Sequence, residues 1–268
     1  MRSRREQDVE RIRSALDAAR DVVRAFTPGE IAFETKEQRG DPVTEADLAL
    51  DRLLRERLPA AGEGWLSEET VDDASRLACE RVWVVDPIDG TREFVEGIPE
   101  WCISIGLLEA GEPVAGGILN PASDELVVGA RELGVRVNGR PAPAPGRAGL
   151  ARARVLASRS EVGRGEWDRF EGSDFTVVPC GSVAYKLGLV AAGRADATWT
   201  LVPKHEWDVV AGVALVRAAG MSVLHADGSS PVFNQPHPKL PDLLAGPERL
   251  LAEFRAGWLK AASHDPRA

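Results

Sequence analysis

The sequence predicts an α+β protein in which helices and strands pack in layers. Near the N-terminus, apolar residues recur every three or four positions between residues 9 and 26, the pattern of an amphipathic helix. Between residues 102 and 137, short apolar segments follow one another with turn residues between them, which is typical of consecutive strands. Helices and strands then mix without regular βαβ alternation, which disfavours a purely doubly wound sheet.

Five segments carry the pattern of helices. They cover about residues 9–26, 41–58, 182–192, 209–219 and a last stretch from about residue 247. Pro28-Gly29 and Pro59 follow the first two segments and should end them. Thr44 with Asp47 resembles a capping box at a helix start. The segment 209–219 is apolar nearly all round, so we expect that helix to be buried.

The predicted strands are short and bounded by turn residues. They cover about residues 65–67, 82–85, 102–108, 113–119, 125–130, 135–137, 154–157, 175–178 and 195–200. Asn138-Gly139 is a strong signal for a tight turn between two of them. We expect Trp65, Trp83 and Trp101 to belong to the core rather than to a substrate platform.

Residues 141–149, PAPAPGRAG, form the clearest boundary in the chain, because Pro and Gly dominate and no apolar period survives. We therefore predict an N-terminal α+β half at 1–140, a linker at 141–149 and a C-terminal α/β half at 150–268.

Composition excludes several classes of protein. The 268 residues carry a formal net charge of -9, which argues against a nucleic acid polymer as partner. Cys79, Cys102 and Cys180 lie far apart, as expected of reduced thiols rather than disulfides or zinc ligands. No apolar run approaches the roughly 20 residues of a membrane span, and the charged N-terminus does not resemble a secretory signal. These features predict a cytoplasmic protein with no membrane partner.

The segment VWVVDPIDGTREF, residues 82–94, places two acids directly after an apolar strand. Side chains of an extended strand alternate between faces, so Asp86 and Asp89 converge only if the chain turns between them. Such a turn offers both carboxylates and the carbonyl oxygen of Ile88 to one centre, which suits Mg²⁺ or Mn²⁺ rather than zinc. Thr91 then lies where its hydroxyl can orient a water. The alternative is a plain surface turn capped by an aspartate.

Two further acids strengthen the metal interpretation. Glu68 follows the short apolar segment at 65–67, and Asp208 stands just before the apolar helix. Taken alone, Asp208 is better explained as an ordinary helix cap. A third interpretation is a haloacid-dehalogenase-type phosphatase, whose DxDGT motif has acids two residues apart. Here the spacing is three and no clear βαβ frame surrounds the motif, so we disfavour it.

Four spaced motifs resemble the inositol monophosphatase superfamily, and together they cover roughly residues 40–225. They are Gly40-Asp41-Pro42-Val43-Thr44-Glu45-Ala46-Asp47, Ser67-Glu68-Glu69, Asp86-Pro87-Ile88-Asp89-Gly90-Thr91 and Trp207-Asp208-Val209-Val210-Ala211-Gly212. Each motif alone is weak, but their order is highly specific. The resemblance implies a layered αβαβα sandwich and metal-dependent hydrolysis of a small phosphorylated metabolite.

The resemblance also implies roles for individual residues. The metal ligands would be Glu68, Asp86, Asp89, Asp208 and the Ile88 carbonyl, and the catalytic residues Asp47, Glu68 and Thr91. The cofactor would be two or three Mg²⁺ ions, with Mn²⁺ as a substitute and Ca²⁺ or Li⁺ as inhibitors. Phosphate would meet the backbone at Gly90 and Thr91 and the helix end at Asp208, and Lys186 would reach a second phosphate. The alternative for Lys186 is a surface lysine that lies along its helix.

The substrate is less sharply indicated. Arg92-Glu93-Phe94, Ser158-Arg159-Ser160 and Lys186 resemble 3′(2′),5′-bisphosphate nucleotidases, which act on 3′-phosphoadenosine 5′-phosphate (PAP). Gly97-Ile98-Pro99 and Ser104-Ile105-Gly106 look more like inositol monophosphatases. We favour the nucleotidase and keep inositol-1-monophosphatase, or a related sugar-phosphate phosphatase, as the alternative. A catalytically silent metal-binding protein on the same fold is a further alternative, and a homodimer is the family's habit.

Overall fold

A computed structural model describes residues 3–35, 42–145, 149–200 and 202–262 of the chain, with side chains to residue 257. Gly40 and Asp41 of the first motif and residues 146–148 of the predicted linker lie outside this part. The described helices are α1 (Arg4–Val23), α2 (Glu45–Arg57), α3 (Thr91–Val95), α4 (Arg159–Gly163), α5 (Val183–Ala191), α6 (Glu206–Ala218) and α7 (Glu248–Ala262).

The strands of the described residues form two large sheets and two short pairs. They are β1 (Phe33–Thr35), β2 (Pro42–Thr44), β3 (Gly64–Ser67), β4 (Arg81–Asp89), β5 (Cys102–Glu109), β6 (Glu112–Asn120), β7 (Glu125–Ala130), β8 (Gly134–Val137), β9 (Arg140–Pro141), β10 (Arg154–Ser158), β11 (Thr176–Cys180), β12 (Ala197–Thr200), β13 (Lys204–His205), β14 (Ser222–Leu224), β15 (Lys239–Leu240) and β16 (Leu243–Gly246).

The first sheet has the order β3-β4-β5-β6-β7-β8-β9 and is antiparallel except for the parallel pair β3 and β4. Helices α1 and α2 cover one face and α6 covers the other. Two glycines let α6 approach closely. A Cβ on Gly106 would lie 2.8 Å from the amide nitrogen of Ala211, and one on Gly116 would lie 2.3 Å from its carbonyl oxygen. The helix therefore rests almost on the backbone of β5 and β6.

The second sheet has the order β11-β10-β12-β16-β14, with β10, β11 and β12 parallel and β16 antiparallel to both of its neighbours. Helix α5 packs between this sheet and α6, while α7 packs on the outer face. Five layers result, namely helices, sheet, helices, sheet and helices. This confirms the predicted α+β sandwich.

Each helix layer buries a separate apolar cluster. The cluster under α1 and α2 includes Ile12, Leu50 and Trp83, each fully buried. Trp101 lies in the same cluster and Trp65 packs against it, as predicted for core tryptophans. The capping box at the start of α2 is also confirmed, because the Thr44 and Asp47 side chains bond each other's backbone amides.

The connection between the sheets runs from Pro141 to Arg154, across the predicted linker. Helix α6 follows this connection in sequence but packs on the first sheet. The division into halves at 141–149 therefore stays a prediction about folding units. Within the described ranges, every helix is too short or too polar to cross a lipid bilayer.

The end of β4 differs from the sequence prediction. We expected a strand to Val85 followed by a turn, but β4 continues to Asp89 with a β-bulge. Asp86 lies opposite Ser104 and Asp89 lies opposite Cys102, so three steps along β4 match two along β5. Ser104 and Cys102 are two residues apart and share a face, so their partners share it as well. The bulge, rather than a turn, brings the two acids together.

Candidate active site

A cavity of about 350 Å³ opens where β4 ends and where α5 and α6 begin. Its lining comprises Pro42, Glu68, Asp86, Ile88, Asp89, Gly90, Thr91, Arg92, Glu93, Ser158, Ser160, Arg164, Gly181, Ser182, Val183, Lys186, Lys204 and Asp208. Every predicted site residue except Asp47 is among them. A larger cavity of about 480 Å³ borders α7 and is lined mainly by apolar side chains. The residues predicted to bind metal and substrate line the smaller cavity.

Three of the predicted ligands form a compact group. Glu68, Asp86 and Asp208 each offer a carboxylate oxygen, and these three oxygens lie within 4.8 Å of one another. The parallel register of β3 and β4 pairs Ser67 with Val85, which sets Glu68 beside Asp86. The Glu68 amide continues this pairing by donating to the Val85 carbonyl at 3.3 Å. Asp208 enters from the first turn of α6.

Asp86 has the surroundings expected of a carboxylate that binds a cation. Its side chain is 1 % exposed, and no described residue donates a hydrogen bond to its Oδ1. Burial raises the pKa of Asp86 well above its ordinary value, and the nearby carboxylates, Glu68 first, raise it further. A buried, unpaired carboxylate is costly unless a cation compensates it. The oxygen-only donor set fits Mg²⁺.

Asp208 combines both roles that the sequence left open. Its Oδ2 accepts a hydrogen bond from the His205 amide at 2.8 Å, so it does cap α6. It also contributes an oxygen to the three-carboxylate group. Burial raises its pKa well above the ordinary value, and the charges of Asp89 and Glu68 add to this shift. Capping therefore fixes the Asp208 side chain beside the three-carboxylate group.

Asp89 lines the same cavity but lies outside the three-carboxylate group. Its Oδ2 accepts hydrogen bonds from the Ser182 hydroxyl at 2.6 Å and the Ala184 amide at 2.5 Å. Both donors belong to the start of α5, so Asp89 ties this helix to the bulge. Burial raises the pKa of Asp89, although the two hydrogen bonds and the charge of Lys186 oppose the shift.

The Thr91 hydroxyl lies between the Asp47 carboxylate and the Ile88 carbonyl. Its Oγ1 is 2.9 Å from the Ile88 carbonyl oxygen and 3.3 Å from Asp47 Oδ1. A hydroxyl has one proton, so it donates to one of these acceptors at a time. The other oxygen of Asp47 is held by Thr44 Oγ1 at 2.6 Å and by the Thr44 amide at 2.8 Å. Asp47 therefore lies behind Thr91 rather than in the cavity lining.

Gly90 makes the bend between β4 and α3. Its φ of +93° lies in the region that favours glycine. A Cβ at this position would lie 3.2 Å from the Glu100 carbonyl oxygen and 3.2 Å from the Ser182 Cβ. The local sequence thus requires glycine both for conformation and for space.

Lys186 is buried, 2 % exposed, and donates to the carbonyls of Ser182 at 2.8 Å and Cys180 at 3.3 Å. It is therefore not the surface lysine of the alternative interpretation. Burial lowers its pKa, and the nearby charge of Asp89 opposes that shift. The ammonium holds together the loop that presents Ser182 to Asp89. A contact to a second phosphate stays a prediction.

Sequence reasoning missed Glu161, which is 3 % exposed and lies behind Lys204. Its Oε1 accepts from the Thr200 hydroxyl at 2.9 Å and lies 3.9 Å from the Lys204 ammonium, while its Oε2 accepts from the Trp167 indole at 3.0 Å. No local motif marks this residue, because Thr200 and Lys204 come from a distant part of the chain. Glu161 fixes Lys204 at the cavity wall.

Comparison with known proteins decides the family. A model of the inositol monophosphatase family matches residues 3–259. The chain belongs to this family. It is 33% identical over 232 residues to an inositol-1-monophosphatase of Mesorhizobium japonicum, covering 83% of this chain and 86% of the relative.

Solved structures of family members superpose along nearly the whole chain. The inositol monophosphatase of Anabaena has a TM-score of 0.76 at 27% identity, covering 95% of this chain and 96% of that chain. CysQ of Bacteroides thetaiotaomicron, described as a bacterial member of the family, has a TM-score of 0.74 at 25% identity, covering 90% and 98%. Members of this family are metal-dependent phosphatases, and so is this protein.

Proposed function

We propose that the protein hydrolyses a small phosphate monoester with Mg²⁺ and that it prefers a nucleotide bearing two phosphates, such as PAP. The observation that supports this proposal most directly is the mixed charge of one cavity. The same 350 Å³ space is lined by the carboxylate group and by four cationic side chains, Arg92, Arg164, Lys186 and Lys204. A second anion on the substrate would complement this cationic part.

In this proposal Glu68, Asp86 and Asp208 hold the metal, with Asp89 and the Ile88 carbonyl as further ligands. When bound, Mg²⁺ supplies positive charge next to the phosphate and lowers the pKa of the attacking water. Burial and mutual repulsion raise the pKa of Asp86 and Asp208, and a bound cation would relieve that repulsion, so the carboxylates suit this role.

Thr91 and Asp47 orient the water in this proposal. When Thr91 Oγ1 donates its proton to Asp47 Oδ1, a lone pair on the same hydroxyl becomes the acceptor for a proton of the water. The two bonds from Thr44 fix the Asp47 carboxylate for this task. The Ile88 carbonyl is the competing acceptor for the hydroxyl proton. Glu68 is the nearby carboxylate that assists in removing the proton of the water.

The substrate phosphate would lie against the backbone at Gly90 and Thr91 and before the N-terminus of α6. The thirteen-residue helix α6 begins beside Asp208, and its first turn carries partial positive charge. The second phosphate would meet Lys204 and the hydroxyls of Ser158 and Ser160, whose oxygens are 3.0 Å apart.

Inositol monophosphate is the second candidate, since a relative that is 33% identical bears the name inositol-1-monophosphatase. The two candidates are separated by kcat/KM for PAP, inositol 1-phosphate and fructose 1,6-bisphosphate, each with and without Mg²⁺. We expect the highest value for PAP. A higher value for inositol 1-phosphate would overturn the substrate proposal and leave the metal site intact. Absence of phosphate release from all three compounds would also overturn the substrate proposal, because the substrate would then be another phosphate monoester.

A matched pair of variants tests the cationic part of the cavity. Lys204→Met should raise KM for the bisphosphorylated nucleotide by roughly 10-fold, the loss expected for one charged contact. Lys239→Met removes an exposed charge from β15, which pairs with the strand of Lys204, and should leave KM unchanged. Equal KM values for both variants would show that Lys204 does not contact the substrate.

A further inference from the structure

Helix α2 carries two buried aspartates one turn apart, Asp47 and Asp51, with 1 % and 8 % of their surface exposed. Residues four apart lie on the same side of a helix, so the two carboxylates leave α2 in the same direction. Asp47 contacts Thr91, as described above. Asp51 contacts a different segment, which carries Glu68.

Both oxygens of Asp51 are used to hold the segment 67–70. Oδ1 accepts from the Ser67 hydroxyl at 2.5 Å, and Oδ2 accepts from the Thr70 hydroxyl at 2.8 Å. Thr70 Oγ1 in turn accepts from the Trp65 indole at 3.3 Å, and Ser67 Oγ accepts from the Glu69 amide at 3.4 Å. Two anchor points thus flank Glu68 and its neighbour, one on each side.

This arrangement matters because the bond from the Glu68 amide to the Val85 carbonyl is the last backbone contact between β3 and β4. The register of β3 with β4 ends at Ser67 and Val85. With anchors at 67 and 70, only two residues lie between fixed points, and the direction of the Glu68 side chain is restricted. Asp51 itself is absent from the cavity lining.

We propose that Asp51 is a positioning residue that sets the Glu68 carboxylate in register with Asp86 and Asp208. A single helix then aligns two parts of the site, since Asp47 holds Thr91 and Asp51 holds the segment of Glu68. This inference rests on the proposed role of Glu68 as a metal ligand. It predicts that loss of Asp51 weakens Mg²⁺ binding and leaves the affinity for the substrate unchanged.

The test uses Asp51→Ala and Leu54→Ala, with Mg²⁺ as the probe. Leu54 is a fully buried residue of the same helix with no polar atom in its side chain. Mg²⁺ binding is measured twice for each protein, as the activation midpoint for phosphate release and as the Mg²⁺-induced rise in melting temperature without substrate. Asp51→Ala should raise the Mg²⁺ midpoint roughly 10-fold, the effect typical of groups that orient metal ligands. Its KM for substrate at saturating Mg²⁺ should stay at the wild-type value.

Leu54→Ala should lower the melting temperature of the metal-free protein at least as much and leave the Mg²⁺ midpoint unchanged. Thr70→Val removes one anchor and should give part of the shift, with little further effect in the Asp51→Ala background. If Asp51→Ala does not fold, Thr70→Val and Ser67→Ala carry the same test. A midpoint within about twofold of wild type in all three variants overturns the positioning role.

Glu68→Gln separates this inference from the proposed function. If Glu68→Gln binds Mg²⁺ as tightly as the wild type does, then Glu68 is not a ligand, and the positioning role falls with it. If Glu68→Gln loses Mg²⁺ affinity while Asp51→Ala does not, the metal site stands and only the inference about Asp51 fails.

Discussion

Strand β4 has a cluster of acids at each end, and the two clusters differ in what surrounds them. At its start, Arg81 Nη2 lies 2.5 Å from Asp8 Oδ1, Nε lies 2.9 Å from Glu63 Oε1, and Nη1 lies 3.2 Å from Glu109 Oε1. At its end, Asp86 faces other carboxylates, and no described residue donates to its Oδ1. We call these the paired cluster (Asp8, Glu63, Arg81, Glu109) and the open cluster (Glu68, Asp86, Asp208).

The pKa of Glu63 in the paired cluster and the pKa of Asp86 in the open cluster move in opposite directions. Burial alone would raise the pKa of Glu63, but hydrogen bonds from Arg11, Trp83, the Ala60 amide and Arg81 outweigh it and lower the pKa to about 2. Burial and neighbouring carboxylates raise the pKa of Asp86. The paired cluster is held together by Arg81, whereas the open cluster is the group that we propose to hold a cation.

The largest effect that would test this contrast is expected from Asp86→Asn. Removing one buried charge relieves repulsion, so the metal-free protein should melt at the same temperature or higher. Hydrolysis should fall by at least about three orders of magnitude, as for other groups that act as one catalytic unit. The Mg²⁺-induced rise in melting temperature should shrink. Thermal melts with and without Mg²⁺, beside phosphate-release rates, measure all three.

Asp21→Asn is the control, because Asp21 is exposed and pairs with the surface residue Arg24. It should change none of the three quantities. Near-native turnover in Asp86→Asn, or unfolding of its metal-free form, would assign Asp86 to structure.

A smaller loss of rate is expected from Thr91→Ala. Without the hydroxyl that bonds Asp47, the rate should fall roughly 100-fold or more, the usual worth of a group that handles a proton. The Mg²⁺-induced stabilisation should persist, because Thr91 is proposed to orient water rather than to hold the ion. Thr91→Ser keeps the hydroxyl and should retain most of the rate. Loss of Mg²⁺ stabilisation in Thr91→Ala would place Thr91 within the open cluster.

A substitution in the paired cluster should lower the stability of the protein and leave its turnover unchanged. Arg81→Met removes the central cation from the buried Asp8 and from the half-buried Glu63, which should cost about 3–5 kcal/mol of unfolding free energy. Chemical denaturation measures this cost, and turnover at low temperature should remain. Arg24→Met breaks an exposed pair with Asp21 and should cost less than about 1 kcal/mol. Similar losses in the two variants would show that the paired cluster is not the stabilising one.

The smallest effect concerns pH. The pKa of Glu63 is about 2 in the folded protein against an ordinary value of 4.5, so its contribution to stability is full above about pH 4.5. That contribution is lost as pH falls toward 2. We expect the stability difference between wild type and Glu63→Gln to shrink as the pH is lowered from about 6 to about 3. A constant difference over this range would contradict the ion-paired state of Glu63.

Much of the fold follows from local sequence patterns. The predicted strand at 125–130 coincides with β7, and the predicted helix at 182–192 differs from α5 by one residue at each end. These elements are bounded by turn residues or by a cap, which act within a few positions. The bulge in β4 was not predicted, because it depends on the register with Ser104 and Cys102 on another strand. The apolar periodicity of β4 alone does not show its register with β5.

The residues of the site likewise fall into two groups, those that the sequence predicted and those that it did not. Asp86 and Asp89 were found because their types and spacing suit oxygen-ligand chemistry. The roles of Asp47, Glu68 and Asp208 came from the resemblance of the spaced motifs to the family. Asp51 and Glu161 were missed because they contact residues far away in the sequence, such as Ser67, 16 residues from Asp51, and Thr200, 39 residues from Glu161. Residues that line a site can be predicted from motifs, whereas residues that hold those side chains in place depend on the packing of the fold.

The two glycines beneath α6 set the spacing of the open cluster. Because Gly106 and Gly116 let the backbone of Ala211 touch the sheet, they fix how far Asp208 on the helix stands from Asp86 on the strand. A methyl group at either position would push α6 outward and widen the gap that the three carboxylates enclose. In the proposed metal site, the ionic radius that fits is therefore governed in part by two residues without side chains, on strands β5 and β6 beneath the helix.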